Sequence, residues 1–338
     1  KGRRLKVLAC RTYAYSENLR RKVLRAPDFR AAELSSLNCE LGVFYALCAR
    51  NFCRSCGINP GCLSVIGSHG QTVFHNPRGK FPSTLQLGEP SYLAEALGVP
   101  VVCDFRARDI AAGGCGAPLV PFFDEFVFGG GPPRILQNIG GIGNLSVVGK
   151  GVRTFGFDTG PGNCLMDEAV RIYSGGKSHF DRNGALAQAG EIDFEKISAL
   201  MRLPYFAQKP PKSLDKNEFG AQFLQKRWRR INGDNIRDIL ATLNYFTAKT
   251  IVLAVEKFAL HSGPKEIVLS GGGALNPVLV SNIRKLLPDM KVSLISAYGI
   301  AEFAKEPACF ALMARLALEG KPNHCPRATG ARGVRILG

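Results

Sequence analysis

Short apolar runs alternate along the chain with longer stretches of helical spacing, the pattern of an α/β fold. The first part predicts a strand at Leu5 to Leu8, a helix from Leu34 to Cys56 and a strand at Leu63 to Ile66. A hairpin region follows (Phe81 to Leu87), then a helix beginning near Glu89-Pro90 and a strand at Val99 to Cys103. Gly113-Gly114-Cys115-Gly116-Ala117-Pro118 reads as a joint between lobes. Beyond it, a strand at Val152 to Phe157 leads into a helix at Leu165 to Tyr173. The apolar run Glu266 to Ser270 leads into a helix starting near Asn276-Pro277, with Leu275, Val278, Leu279, Ile283 and Leu286 at helical spacing. A last helix is expected over Ala301 to Glu319 and an irregular tail after Gly320. The expected division is residues 1–112 plus 300–338 as one, incomplete lobe and residues 113–299 as the other.

Three of these strands run into glycines. Arg134 to Val148 reads as a β-hairpin with Gly140-Gly141-Ile142-Gly143-Asn144 at its tip, not as a dinucleotide fingerprint, since the GxGxxG spacing is missing. The second junction is Phe157-Asp158-Thr159-Gly160-Pro161-Gly162-Asn163, and the third is Ser270-Gly271-Gly272-Gly273. Glycines let backbone N–H groups approach an anion, and a helix N-terminus adds favourable partial charge. Asp158 stands where phosphate chemistry needs a general base or a metal-orienting carboxylate. An ordinary Asp-Gly turn is the competing reading of that segment.

Charge narrows the class of partner. The 338-residue chain carries a formal net charge of +17, which attracts anions such as nucleotides, phosphosugars, acidic sugars or nucleic acid. The basic residues are mostly scattered. The densest cluster, Lys226-Arg227-Trp228-Arg229-Arg230, reads as a solvated helix face, with no nucleic-acid module beside it. No apolar run reads as membrane-spanning and no signal peptide is seen at Lys1-Gly2-Arg3-Arg4, so Asn144-Leu145-Ser146 is discounted as a glycosylation acceptor. Without an initiator methionine, and starting close to a strand, the sequence reads as a fragment. Eleven cysteines, an odd number, argue against a fully paired disulfide framework and fit a reducing cytoplasm. Cys48, Cys53 and Cys56 read as small apolar residues on one helix, not as a zinc site.

Polar residues also follow buried strands in the first part. Gly67-Ser68-His69-Gly70-Gln71-Thr72 forms a tight turn from which His69 and Gln71 can reach sugar hydroxyls. In Val101 to Asp109, the alternating Asp104 and Arg106 are expected on one side of the strand end. Arg106 offers a planar fork to a carboxylate, and Asp104 and Asp109 can accept from hydroxyls. Local structural roles compete for each of these residues. Glu302 and Glu306 are expected one turn apart on the last helix.

Taken in order, Ser68-His-Gly-Gln-Thr-Val73, Asp104-Phe-Arg106, Gly113-Gly-Cys-Gly-Ala-Pro-Leu-Val-Pro121, Gln137-Asn-Ile-Gly-Gly-Ile-Gly-Asn144, Phe157-Asp-Thr-Gly-Pro-Gly-Asn163 and Leu269-Ser-Gly-Gly-Gly-Ala-Leu-Asn276 resemble the anhydro-N-acetylmuramic acid kinase family. Pro211-Lys-Ser-Leu-Asp-Lys-Asn-Glu-Phe219 looks like a variant of a further family motif. The resemblance implies a two-lobed fold of the actin and hexokinase type (ribonuclease H-like) with ATP in the cleft between the lobes. It implies a bacterial enzyme of cell-wall recycling that transfers the γ-phosphoryl group of Mg²⁺-ATP to O6 of a 1,6-anhydro amino sugar while water opens the internal ether. Asp158 would be the base, and Gly140, Gly141, Asn144, Gly160, Gly162, Asn163, Gly271, Gly272 and Gly273 would serve the nucleotide. His69, Gln71, Asp104, Arg106 and Asp109 would face the sugar. It further suggests a homodimer, with neither nucleic acid nor membrane as partner. The first phosphate loop of the family, Gly-x-Met-Ser-Gly-Thr-Ser-x-Asp-Gly, is not found, and residues 1–10 look like the strand that follows it. Another actin-like sugar kinase, and an inactive sugar- or nucleotide-binding homologue, remain as alternatives.

Overall fold

A computed structural model describes residues 5–210, 212–214 and 216–338 of the chain. The basic stretch at residues 1–4 and two positions of the Pro211–Phe219 motif lie outside the described residues. The chain divides into two compact units, with crossings after Lys6, Phe123 and Lys305.

The unit comprising Val7–Phe123 and Glu306–Gly338 carries two small sheets. Strand β1 (Ile66–Gly67) pairs in parallel with β4 (Val101–Val102), while β2 (Gln71–Asn76) and β3 (Ser83–Leu87) form an antiparallel hairpin. The long helix Ala31–Ser55 packs on the helix Ser91–Leu97, and Leu37, Leu41 and Cys53 on its inner face are buried. Cys48 and Cys53 lie on this helix as expected. The strand expected at Leu5 to Leu8 is irregular chain, because no ladder partner flanks it among the described residues. The last helix spans Lys305–Leu318, starting later than expected. Pro307 has no N–H to close a turn on the carbonyl of Phe303, so the helix fits only with that proline in its first turn. Glu302 therefore precedes the helix that holds Glu306. The tail is irregular apart from Pro326–Thr329, yet Asn323, His324 and Leu337 in it are buried.

The other unit is built on a five-stranded sheet in the order β7-β6-β5-β8-β9. These are β5 (Arg134–Ile139), β6 (Ile142–Val148), β7 (Phe155–Pro161), β8 (Glu266–Ser270) and β9 (Lys291–Leu294). The first three pair antiparallel in a meander, and β8 and β9 add in parallel beyond β5. A mixed sheet flanked by helices bears out the expected α/β class. Helix Ile236–Phe258 packs in the core, with Leu240, Leu243, Phe246 and Ile251 fully buried. It is long and apolar enough to cross a membrane, although it was not read so from sequence, and most of its surface is covered by the protein.

Strand β7 begins three residues later than the sequence pattern suggests and extends through Pro161. Asp158 thus sits inside the strand, not in a turn after it. Opposite β6 the register shifts between Gly143, which faces Gly160, and Asn144, which faces Asp158. Thr159 is the extra residue of this bulge, and bulges commonly re-aim side chains beside functional sites.

Candidate active site

The three glycine segments meet at one end of the five-stranded sheet. β5, β7 and β8 run in the same direction and end at Ile139, Pro161 and Ser270. Ligand sites of α/β sheets lie beyond such carboxyl ends. The helix Cys164–Tyr173 starts there, behind Asn163. Backbone contacts lock the segments together. The amide of Gly162 donates to the carbonyl of Gly141 (2.9 Å), and that of Asn163 to the carbonyl of Gly140 (2.8 Å). The Asn163 side chain donates to Ile139 O (3.3 Å) and lies against Gly272 and Gly273. Gly271, with φ of 83°, donates its amide to the carbonyl of Glu302 (3.0 Å).

These bonds revise how the glycines serve the site. Gly160 and Gly162 are buried, and the Gly162 amide is spent on Gly141. A Cβ on Gly162 would fall on the carbonyl oxygen of Gly140, and one on Gly160 would lie 3.0 Å from Thr250 Oγ1. They allow the two loops and the core helix to approach, where the sequence suggested direct nucleotide contact. Gly140, Gly141, Gly271 and Gly272 stay partly exposed, while Gly273 is buried against Ile139 and Asn163.

Register places a polar row across the sheet. Asp158 faces Asn144, Asn144 faces Asn138, and Asn138 faces Ser270. Directly paired residues project to the same face, so four polar side chains from four strands stand side by side. Sequence reading singled out Asp158 and Asn144 but not Asn138 or Ser270, although the Gln137–Asn144 motif contains Asn138.

Tyr205, Lys212 and Leu214 close on Asp158. The Tyr205 hydroxyl donates to the Asp158 carbonyl (2.6 Å), the Asp158 amide donates to Lys212 O (3.2 Å), and the Leu214 amide donates to Asp158 Oδ2 (2.9 Å). Burial pushes the Asp158 carboxyl up to about 6, against the opposing pulls of the Leu214 amide and of Lys212. A carboxylate with that proton affinity accepts a proton near neutral pH. Asp167, on the helix Cys164–Tyr173, is raised to about 7 by burial alone.

In the other unit, His69 and Arg106 are joined. His69 Nδ1 lies 2.9 Å from Gly70 O, so this nitrogen carries the proton, and Nε2 accepts from Arg106 Nε (2.8 Å). Burial, then the Arg106 charge, hold His69 down at about 4, so it is neutral through the physiological range. Arg106 also donates to Gly116 O (3.1 Å), which fixes its guanidinium. Gln71 accepts from Tyr15 (3.2 Å). Asp104 is exposed, in the left-handed region (φ 55°), and turns the chain from β4 into the helix Phe105–Ala111. The expected alternation of Asp104 and Arg106 along a strand is thus replaced by a helix start. Asp109 does not face outward for a sugar. It is fully buried, and its oxygens are taken by His324 Nδ1 (2.9 Å), the Thr329 hydroxyl (2.7 Å) and the Gly116 amide (2.7 Å). Its role is to pin the tail to this unit. The Lys226–Arg230 cluster shows no run of exposed aromatics: Trp228 is partly buried, and Arg227 stacks 3.6 Å from the Phe223 ring centroid.

A family model described as anhydro-N-acetylmuramic acid kinase matches residues 1–338. The chain belongs to the anhydro-N-acetylmuramic acid kinase family. Similar relatives bear that name in Caldanaerobacter subterraneus subsp. tengcongensis (36% identical, covering 99% of this chain and 89% of the relative) and in Pseudomonas paraeruginosa (40%, 82% and 75%). A third, from Streptomyces coelicolor, is 42% identical over 82% of this chain and 71% of its own length. Among solved structures, a ROK family glucokinase from Streptomyces griseus in complex with glucose and AMPPNP aligns with a TM-score of 0.28 at 14% identity, over 76% of this chain and 80% of that one. The six motifs that carried the resemblance therefore belong to an anhydro-N-acetylmuramic acid kinase family member. Lys212 and Tyr205 were missed as neighbours of Asp158, yet Lys212 lies in the Pro211–Phe219 motif that had signalled the family.

Proposed function

We propose that this protein is an ATP-dependent kinase that converts 1,6-anhydro-N-acetylmuramic acid and water to N-acetylmuramic acid 6-phosphate and ADP, in peptidoglycan recycling. The observation that carries the reading is Asp158: a carboxylate on β7, raised to about 6 by burial, beside Asn144 and the three converging glycine segments. Family membership supplies the substrate class.

In this reading Asp158 takes a proton from a water molecule, whose oxygen bonds to the anomeric carbon. The bond from that carbon to O6 breaks, and O6 bonds to the γ-phosphorus as the bond to ADP breaks. Asp158 then returns the proton to solvent. Asn144, Asn138 and Ser270 extend the row of hydrogen-bonding groups from the base. Gly140-Gly141 and Gly272 offer backbone N–H groups to phosphate oxygens, the Gly271 amide being held by Glu302 O, and Asn163 braces both segments. Arg106, oriented by neutral His69 and Gly116, binds the lactyl carboxylate, with exposed Asp104 and Gln71 available to hydroxyls. Magnesium, when bound, neutralises phosphate charge.

Asp158→Asn tests the base role. The amide still accepts from Leu214, so ATP binding by calorimetry should stay within about threefold while turnover falls by about 10³-fold or more. Turnover within tenfold of the parent would remove Asp158 from that role.

A further inference from the structure

Two tyrosines fix the side-chain amide of Gln71. Gln71 opens β2 directly after Gly70, whose carbonyl oxygen lies 2.9 Å from His69 Nδ1, so one turn carries both Gln71 and the His69–Arg106 pair. Gln71 Oε1 accepts from the Tyr15 hydroxyl (3.2 Å), and Gln71 Nε2 donates to Thr72 O (3.2 Å). A carbonyl oxygen only accepts, so the amide nitrogen faces Thr72 and the amide oxygen faces Tyr15. Tyr15 has one hydroxyl hydrogen and spends it on Gln71. The Tyr45 hydroxyl, 2.9 Å from that of Tyr15, is therefore the donor between the two phenols. The hydrogens run one way, from Tyr45 to Tyr15 to Gln71. Burial raises both phenols above their ordinary value, so each keeps its proton at neutral pH.

The rings are anchored without help from the amide. Tyr15 immediately precedes Ser16, whose hydroxyl accepts the Leu19 amide (3.2 Å) and caps the helix Glu17–Arg25. Tyr45 lies on the helix Ala31–Ser55, and its ring meets Gly88 so closely that a Cβ there would collide with it. The Phe44 ring centroid lies 5.1 Å from that of Tyr15 and 6.1 Å from that of Tyr45. All three rings pack against buried Leu19, Leu37, Leu41 and Leu87. A hydroxyl on a ring fixed in this way keeps its direction with little further ordering cost. Among the described residues, the second hydrogen of Gln71 Nε2 meets no acceptor, which leaves it for a ligand.

We propose that Tyr15 is a positioning residue for sugar binding: its hydroxyl, oriented by that of Tyr45, holds the Gln71 amide so that Gln71 presents an N–H donor and selects an oxygen acceptor on the sugar. The inference rests on the reading of Gln71 as a residue that faces the sugar. Without the Tyr15 hydroxyl, Gln71 Oε1 loses its partner and the amide is free to turn, so the donor is no longer pre-oriented. Tyr45 acts one step further back, because Tyr15 can donate to Gln71 without it.

The test is calorimetric binding of 1,6-anhydro-N-acetylmuramic acid to the full chain at about pH 8, with Mg-ATP binding and melting temperature as controls. Gln71→Ala should weaken the sugar by about tenfold, and Tyr15→Phe by about fivefold, the range of one neutral hydrogen bond. In the Gln71→Ala background, Tyr15→Phe should change sugar affinity by less than about 1.5-fold, because the group it acts through is gone. Gln71→Glu still accepts from Tyr15 but has no donor when ionised, so it should lose at least as much as Gln71→Ala. Tyr45→Phe should stay within about twofold of the parent, and Mg-ATP affinity within about twofold throughout. Tyr15→Phe with parental sugar affinity, or equally weakened with and without Gln71, overturns the proposal. So does Gln71→Glu with parental affinity, a comparison that still decides the donor assignment if Tyr15→Phe fails to fold. Those results leave Gln71 on the sugar, whereas Gln71→Ala with parental affinity, or a parent that does not bind the sugar, removes the reading of Gln71 and the proposal with it.

Discussion

Burial raises the proton affinity of Asp158, while the Leu214 amide and Lys212 stop the rise at about 6. The sign of the activity profile follows. With Asp158 as the proposed base, which must be deprotonated, turnover should fall as pH drops through that value. His69, held near 4, contributes no limb in this range. Arg106 is the residue proposed to meet the sugar. Its Nε is fixed on His69 and its Nη1 on Gly116 O, leaving a pre-oriented cation for an acidic substrate. Arg106→Ala should raise KM for the acidic anhydro-sugar by about 10–100-fold, the range of a lost charge-assisted bond of about 1.5–3 kcal/mol. Neutral analogues lacking the lactyl carboxylate should weaken by less than about threefold in competition assays. Equal losses would contradict the carboxylate assignment.

At the scale of elements, the site depends on glycines that let backbone meet backbone. A Cβ at Gly162 collides with the Gly140 carbonyl, whereas one at Gly233 meets nothing within 4 Å. Gly162→Ala should therefore destabilise the fold by about 1–3 kcal/mol in urea denaturation and weaken ATP binding, while Gly233→Ala stays within about 0.5 kcal/mol of the parent. If the two substitutions behave alike, close approach of the loops is not what Gly162 provides. The strand-to-glycine junctions were legible in the sequence because each is local: an apolar run, then glycines, then a helix start such as Asn276, which caps Val278 and Leu279. The boundaries were less legible. The sequence ends β7 at Phe157, but cross-strand pairing carries it through Pro161 and places Asp158 within it. The polar row from Asp158 to Ser270 depends on register across residues far apart in sequence, and the contacts of Tyr205, Lys212 and Leu214 with Asp158 likewise join residues far apart. Asp109 shows the converse. Its position after a strand and near Arg106 suggested a ligand group, but its partners lie in the tail, at His324 and Thr329.

Across the whole molecule, the six ordered motifs spread over both compact units, Asp158 and the glycine segments in one, His69, Asp104 and Arg106 in the other. Asp124 and Lys305, where the chain enters and leaves the sheet-bearing unit, form a buried ion pair at 2.8 Å, with Ser146 donating to the same carboxylate. The net charge of +17 suits a protein whose proposed substrates are both anionic. The central claim is that this chain couples phosphoryl transfer to hydrolysis of an internal ether. It is tested most directly by mass spectrometry of the product formed from Mg-ATP and 1,6-anhydro-N-acetylmuramic acid in isotopically labelled water. The account predicts a product that has gained one phosphoryl group and one labelled oxygen at the anomeric position. A phosphorylated product without labelled oxygen would mean ordinary hydroxyl phosphorylation and would contradict it.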